Sequence, residues 1–270
     1  MIISYEIRGR FGNNLFQYYA MKILQKLFND LSVEYTYVYN TRPNNCMIAG
    51  DSHFKELYKS LKNKTIPAEY KDKNIYLYGY FQFLYFLEEN IEYVKELFNE
   101  KNKEKINNNI YMNVFAERVN SCEKKYNNND LVVHIRLDDF IQSGTDNNII
   151  DPNVMRILID DIKRNDKDIN NIIIIVDKLR RGFEVQYIDI LTKFRNDIQI
   201  ISSTMEDDFS QLYKAKNIVC SNSTFSWWAA LLGNSDKNWF PNTNNYYTNQ
   251  EFNRINSSTI VYQTKYIQFS

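Results

Sequence analysis

Four short segments hold residue types that are able to act on one ligand together. In NIVCSNSTFSWW, residues 217–228, an apolar run gives way to five small polar residues in six positions, then to an apolar helix-period stretch. Capping a helix needs one such residue. Asn222, Ser223, Thr224 and Ser226 exceed that need, and hydroxyls with free N–H groups at a helix start make an anion site. In LVVHIRLDDF, residues 131–140, strand alternation puts His134 and Arg136 on one face, with Asp138 and Asp139 just beyond. A guanidinium at a strand end suits a diphosphate, because it is always charged and binds two oxygens at once. His134 is placed to orient Arg136 or a phosphate; its plainer reading is a satisfied core histidine beside a salt-bridged loop. In NIIIIVD, Asp177 follows an apolar run and is able to accept from a ribose hydroxyl or a guanine edge, or simply to cap a helix. In RGRFGNN, residues 8–14, two of the seven glycines of the chain share one turn before a helix. Such a turn lets backbone N–H groups approach a phosphate or sugar, although an ordinary strand-to-helix turn needs no ligand.

These segments need elements to carry them. Strands are expected at 2–7, 32–38, 131–135, 171–176, 198–201 and 217–220, and helices at 15–28, 91–98, 154–164, 185–194, 209–215 and 224–232. The aromatic stretch 77–86 is ambiguous. β-Branched runs alternate with helix-period stretches, and the runs at 131–135 and 172–176 are apolar on both faces. That pattern predicts an α/β fold with parallel sheets, whose ligands bind beyond the carboxyl ends of the strands. Three strand ends after residue 130 then supply a cation, a carboxylate and an anion-binding helix start, a set that fits a nucleotide diphosphate held without metal. Asn-rich patches at 107–109 and 127–129 mark a boundary between an N-terminal α/β domain, residues 1–120, and a C-terminal Rossmann-like domain, residues 121–270. Asp207 and Asp208 read as a helix start rather than a metal-binding pair.

Composition narrows the class. The 270 residues carry 33 basic and 33 acidic side chains, so no bulk charge draws the chain to nucleic acid or an anionic membrane. With 44% hydrophobic residues it can bury a sizeable core. Cys46, Cys122 and Cys220 lack CxxC spacing and two histidines cannot furnish a three-His site, so no metal is expected and a reducing compartment fits. No leader or spanning segment is visible, and the sequence predicts a soluble, cytoplasmic protein. It does not speak to oligomeric state.

The same segments resemble the α-1,2-fucosyltransferases, glycosyltransferase family 11, within the superfamily that includes the α-1,6- and protein O-fucosyltransferases. RFGNNLFQYYAMKIL is similar to the family's GxGNQxFQYAxAxxL, YGYFQFLYF to GYFQSEKYF, HIRLDDF to HIRRGDY, and SNSTFSWWAALL to NSTFSWWAAWL, in the family's order over most of the chain. The resemblance implies a GT-B fold of two Rossmann-like domains with an interdomain cleft, the last helix packing back on the first domain. It implies an inverting, metal-independent transfer of fucose from GDP-fucose to a glycan hydroxyl, the 2-OH of galactose, with no cofactor beyond the donor substrate. Arg136 would contact the diphosphate, with Ser223, Thr224 and Ser226 beside it; His134, Asp177 and Asn222 complete the donor set. Gly12, Asn13, Asn14 and Gln17 would face donor and acceptor from the other domain. Asp139 is a candidate to orient the acceptor hydroxyl, or to hold Arg136 or the loop; no base is assigned. Leu137 and Asp138 replace an Arg and a Gly of the motif, and Lys178 an Asp. These departures leave open another GDP-sugar or acceptor, or a relative that binds nucleotide or glycan without catalysis.

Overall fold

The computed structural model describes residues 1–99, 110–137, 149–179, 182–193, 195–242 and 259–262. The chain divides into two units, Met1–Val114 and Phe115–Ser270, each with its own parallel sheet.

In the first unit the strands β1 (Ile2–Tyr5), β2 (Thr36–Tyr39), β3 (Cys46–Ala49) and β4 (Asn74–Leu77) lie in the order β2-β1-β4-β3. All pairings are parallel. Period-2 alternation selects one face for the core: Ile3, Tyr5, Ile75, Leu77 and Ala49 are buried. That core includes residues of α1 (Phe11–Asn29) and α2 (Asp51–Lys62), whose buried sets include Leu15, Phe16, Met21 and Phe54, Leu57, Leu61. Short helices α3 (Leu84–Glu88) and α4 (Ile91–Asn99) follow β4. Segment 40–45 runs from one edge strand, β2, to the other, β3. Ser4 Oγ donates to the Thr41 carbonyl (2.7 Å), which lays this segment across the sheet's second face.

In the second unit α5 (Ile110–Ser121) straddles the division. The strands β5 (Leu131–Ile135), β6 (Ile172–Val176), β7 (Ile198–Ile201), β8 (Asn217–Val219), β9 (Lys237–Pro241) and β10 (Thr259–Tyr262) are ordered β10-β9-β8-β5-β6-β7. Every described pairing is parallel. Numbered from β5, this is the 3-2-1-4-5-6 order of a Rossmann sheet. Helices α6 (Pro152–Asn165), α7 (Gly182–Thr192), α8 (Met205–Tyr213) and α9 (Thr224–Leu232) connect the strands. β5 and β6 are buried at every position, as expected of central parallel strands. Each buried isoleucine of β6 contributes roughly 2 kcal/mol relative to an exposed one.

The α/β reading with parallel sheets is thus met. Several element ends change; the helix expected at 209–215, for example, is α8, which starts at Met205 behind the Thr204 cap. α1 begins at Phe11 rather than Leu15, because the Asn13 and Asn14 N–H groups bond the Arg10 carbonyl (2.9 and 3.1 Å). The strand expected at 32–38 starts only at Thr36, after a turn in which Ser32 takes φ 60°. No described helix is long and apolar enough to cross a membrane.

Candidate functional site

A doubly wound sheet opens a crevice where its strand order reverses, at the carboxyl ends of the two diverging strands. Here the reversal falls between β5 and β8, which pair directly. The residues singled out at 134–136 and 221–226 leave the sheet at this place.

His134, on the last turn of β5's alternation, is 3% exposed, and its Nδ1 lies 2.7 Å from Ser221 Oγ. This contact ties the end of β5 to the loop after β8. The imidazole also lies against the Phe225 ring, centroids 5.6 Å apart. Burial, reinforced by the Arg136 charge, pushes its pKa down to about 3, so it is neutral at working pH. A neutral imidazole here positions a hydroxyl and adds no charge of its own. Arg136, with its side chain 11% exposed, approaches both oxygens of Asp177 at 3.4 Å. The pairing is long for a charge-assisted bond. Asp177 therefore stands at the carboxyl end of β6 as the neighbour of Arg136.

α9 starts at the adjoining strand end. Ser223 caps it: its Oγ accepts from the Phe225 N–H (3.3 Å), and its own N–H bonds the Ser221 carbonyl (2.8 Å). Ser226 is fully buried and its hydroxyl donates to the Ser223 carbonyl (3.3 Å), so it braces the turn from inside rather than facing a ligand. Asn222 and Thr224 are half-buried at the same helix start. Trp227 and Trp228 are buried in an edge-to-face pair, centroids 5.1 Å apart, and anchor the helix in the core.

One contact escaped the sequence reading. Asp208 lies in the first turn of α8, as the helix-start reading expects, and its carboxylate also turns back and accepts the Ser203 N–H with both oxygens (3.1 and 3.3 Å), at the carboxyl end of β7. Thr204 already caps α8. Burial raises the Asp208 pKa to about 7, opposed by the Ser203 N–H and increased by the charges of Asp177 and Asp207. The signal available was a second acid where one cap suffices. Asp138 and Asp139 lie outside the described residues. Leu137 is 1% exposed and joins the apolar core of the second unit.

The remaining predicted residues gather in the first unit, again at strand carboxyl ends. Gln17 is fully buried; its Oε1 accepts from the Arg8 N–H (3.2 Å) and its Nε2 donates to the Gly79 carbonyl (3.0 Å). It clamps the loop after β1 to the loop after β4. Gln82 Nε2 donates to Asn13 Oδ1 (2.7 Å), a second tie between the same loops. Gly9 has φ 70°, and a Cβ there would come within 2.3 Å of Asn13 Nδ2, so the turn requires glycine. Gly12 is buried, and Asn14 Oδ1 is buried without a partner among the described residues. Phe81 is held at φ 52°, its N–H bonded to Asp51 Oδ1 (2.9 Å), a strained conformation for an aromatic residue.

Together the second unit offers a guanidinium, a neutral histidine–serine pair, the Asp177 carboxylate and a capped helix start around the switch point, with the Asp208 carboxyl further along the strand ends, after β7. Among the described residues no group of three or more His, Cys, Asp or Glu is arranged to hold a metal ion. No protein-family model matches the chain, and no curated protein matches it.

Proposed function

We propose that this chain is an inverting glycosyltransferase of GT-B type that transfers fucose from GDP-fucose to a glycan hydroxyl, the 2-OH of galactose. The observation that carries the nucleotide half of this reading is the placement of Arg136 and the α9 start on the two strands that flank the sheet's switch point. The sugar half rests on the resemblance of RFGNN, HIRLDDF and SNSTFSWW to the α-1,2-fucosyltransferases.

In this mechanism the bond between the sugar C1 and the diphosphate breaks through an oxocarbenium-like transition state. Negative charge grows on the leaving diphosphate. The Arg136 guanidinium and the N–H groups at the start of α9 meet that charge as it develops, and being preorganised they reorganise little. Ser221, held by His134, fixes the loop that presents the helix start. One donor of this kind is worth about 3 kcal/mol of barrier. Arg136→Ala is therefore expected to lower turnover by roughly 10²-fold or more, with Arg136→Lys between it and the native chain because the ammonium keeps the charge but loses the fork. GDP release from GDP-fucose, measured with a panel of galactose-terminated acceptors, tests the reading. A folded preparation that neither binds GDP nor releases it from the donor rejects it. Activity that EDTA abolishes and Mg²⁺ or Mn²⁺ restores rejects its metal independence.

Leu137 favours a second reading, a relative that binds the nucleotide sugar without transferring it. An apolar side chain sealed in the core stands where the resemblance expects a second arginine. Tight GDP binding without turnover on any acceptor would select this alternative.

A further inference from the structure

Among the described residues, no crossover helix between its strands covers the second face of the first unit's sheet. A parallel sheet is normally covered on both faces by crossover helices. Here the link from β2 to β3 is the short segment 40–45, which lies over Ser4 and leaves the rest of that face uncovered by it. Alternation along β4 and its continuation turns Tyr76, Tyr78 and Tyr80 to the same side. Tyr78 and Tyr80 are 43% and 41% exposed, and Ile48, the register partner of Tyr76, is 42% exposed. The Tyr76 and Tyr78 rings stand 6.4 Å apart.

Two arginines are interleaved with these rings. The Arg8 guanidinium lies 4.2 Å from the Tyr78 ring centre and 5.8 Å from that of Tyr80, and Arg42 lies 6.0 Å from that of Tyr76. Neither guanidinium has a carboxylate partner among the described residues. Among the described residues, Glu6 acts on Tyr76, and Asp51 lies against Gly79, where its Oδ1 accepts the Phe81 N–H (2.9 Å). The row also runs directly into Gly79 and Gln82, the residues tied to Gln17 and Asn13.

We propose that Tyr76, Tyr78 and Tyr80, with Arg8 and Arg42, form a binding platform for an acidic oligosaccharide, the chain that carries the acceptor hydroxyl. Sugar rings present apolar C–H faces that stack on aromatic rings, while their hydroxyls need donors and acceptors at the ring edges. The tyrosine hydroxyls and guanidinium groups are placed to supply both. Two guanidinium groups with no carboxylate partner among the described residues favour a ligand that bears its own carboxylate, as uronic and sialic acids do. Calling the glycan an acceptor rests on the transferase reading; its binding does not.

The test is calorimetric titration of the full chain with uronate-containing and neutral oligosaccharides of matched length, with GDP titrated in parallel. The uronate oligosaccharides are expected to bind, and added NaCl to weaken them. Tyr78→Ala with Tyr80→Ala should raise Kd roughly ten-fold or more, the usual scale for truncating contact aromatics, and leave GDP affinity unchanged. Tyr78→Phe should keep most of the affinity. Arg8→Gln should weaken the uronate ligands, and its side-chain change spares the backbone bond to Gln17. Binding of neutral oligosaccharides alone, binding of neither kind, or affinity unchanged in the tyrosine variants would overturn the proposal. Loss of GDP binding with glycan binding intact would instead sink the transferase reading and leave the platform standing.

Discussion

Asp208 and His134 sit at strand ends on either side of β6 and titrate in opposite senses, which makes the electrostatics of these strand ends readable in a pH series. The folded Asp208 holds its proton up to about pH 7, whereas its ordinary value is 3.8. Between those values the folded chain binds the extra proton, so this residue makes stability fall as pH rises from about 4 to 7. Asp208→Asn imitates the neutral acid and can still accept the Ser203 N–H. The variant should therefore gain on the native chain as pH climbs through that window, and melting temperatures taken from pH 4 to 8 would show it. Parallel curves would mean that Asp208 is not held protonated. For His134 the sign reverses. Its folded pKa near 3 lies below the ordinary 6.5, so its contribution is complete above 6.5 and drains away as pH falls toward 3. His134→Asn should lose less than the native chain on that acid side, although it starts lower through loss of the Ser221 contact. Neither value was legible in the sequence. HIRLDDF and MEDDF name the groups, but the shifts come from burial and from charges brought in by other strands.

The elements that carry the site depend on their first turns. Ser223 Oγ accepts the Phe225 N–H and Thr204 Oγ1 accepts the Asp207 N–H (3.2 Å). Removing such a cap costs about 1 kcal/mol, and replacing it with glycine costs a few tenths. Ser223→Ala should lower unfolding stability by that amount in urea, with Ser223→Gly much closer to native. Equal losses for both would show that Ser223 acts by packing instead. The Ser223 cap was visible beforehand because SNST precedes an apolar helical run, whereas the Thr204 cap was not, since the acidic MEDD turn hides a helix expected only from Phe209. β5, β7 and α9 were legible to the residue: LVVHI and IQII are bounded by polar turns, and TFSWWAALL ends at Gly233. The first unit read less well. β3 and β4 are four residues each, and CMIA and NIYL have no β-branched excess beyond one isoleucine apiece, so their strand state comes from pairing with β1. α5 was hidden in what looked like an Asn-flanked linker; its Phe115 is fixed by Phe209, a contact that no local pattern contains (ring centroids 5.1 Å). Strand order was also beyond local pattern, since β8 returns to the far side of β5 only when α8 carries the chain back across the sheet.

At the scale of the whole chain, the residues proposed to hold the nucleotide are confined to one unit. Arg136, Asp177, Asp208, Ser221 and the α9 start all belong to residues 115–270, which hold a complete six-stranded sheet and its own apolar core. The tyrosine platform and the Gln17 clamp belong to residues 1–114. If that division is functional, nucleotide binding should survive removal of the first unit, and glycan transfer should not. Residues 115–270 expressed alone are expected to fold cooperatively and to bind GDP with the affinity of the full chain. At GDP concentrations 100-fold above Kd, binding stabilises the folded form by about 2.7 kcal/mol. For a unit of this size that is a rise in melting temperature of roughly 5–10 °C. The same rise should appear in the full chain, and Arg136→Ala should remove it from both. A folded fragment that ignores GDP while the full chain binds it would place essential nucleotide contacts in the first unit. In that event the loops around Gly12–Asn14, where an asparagine oxygen is buried without a partner, would be the first place to look for them.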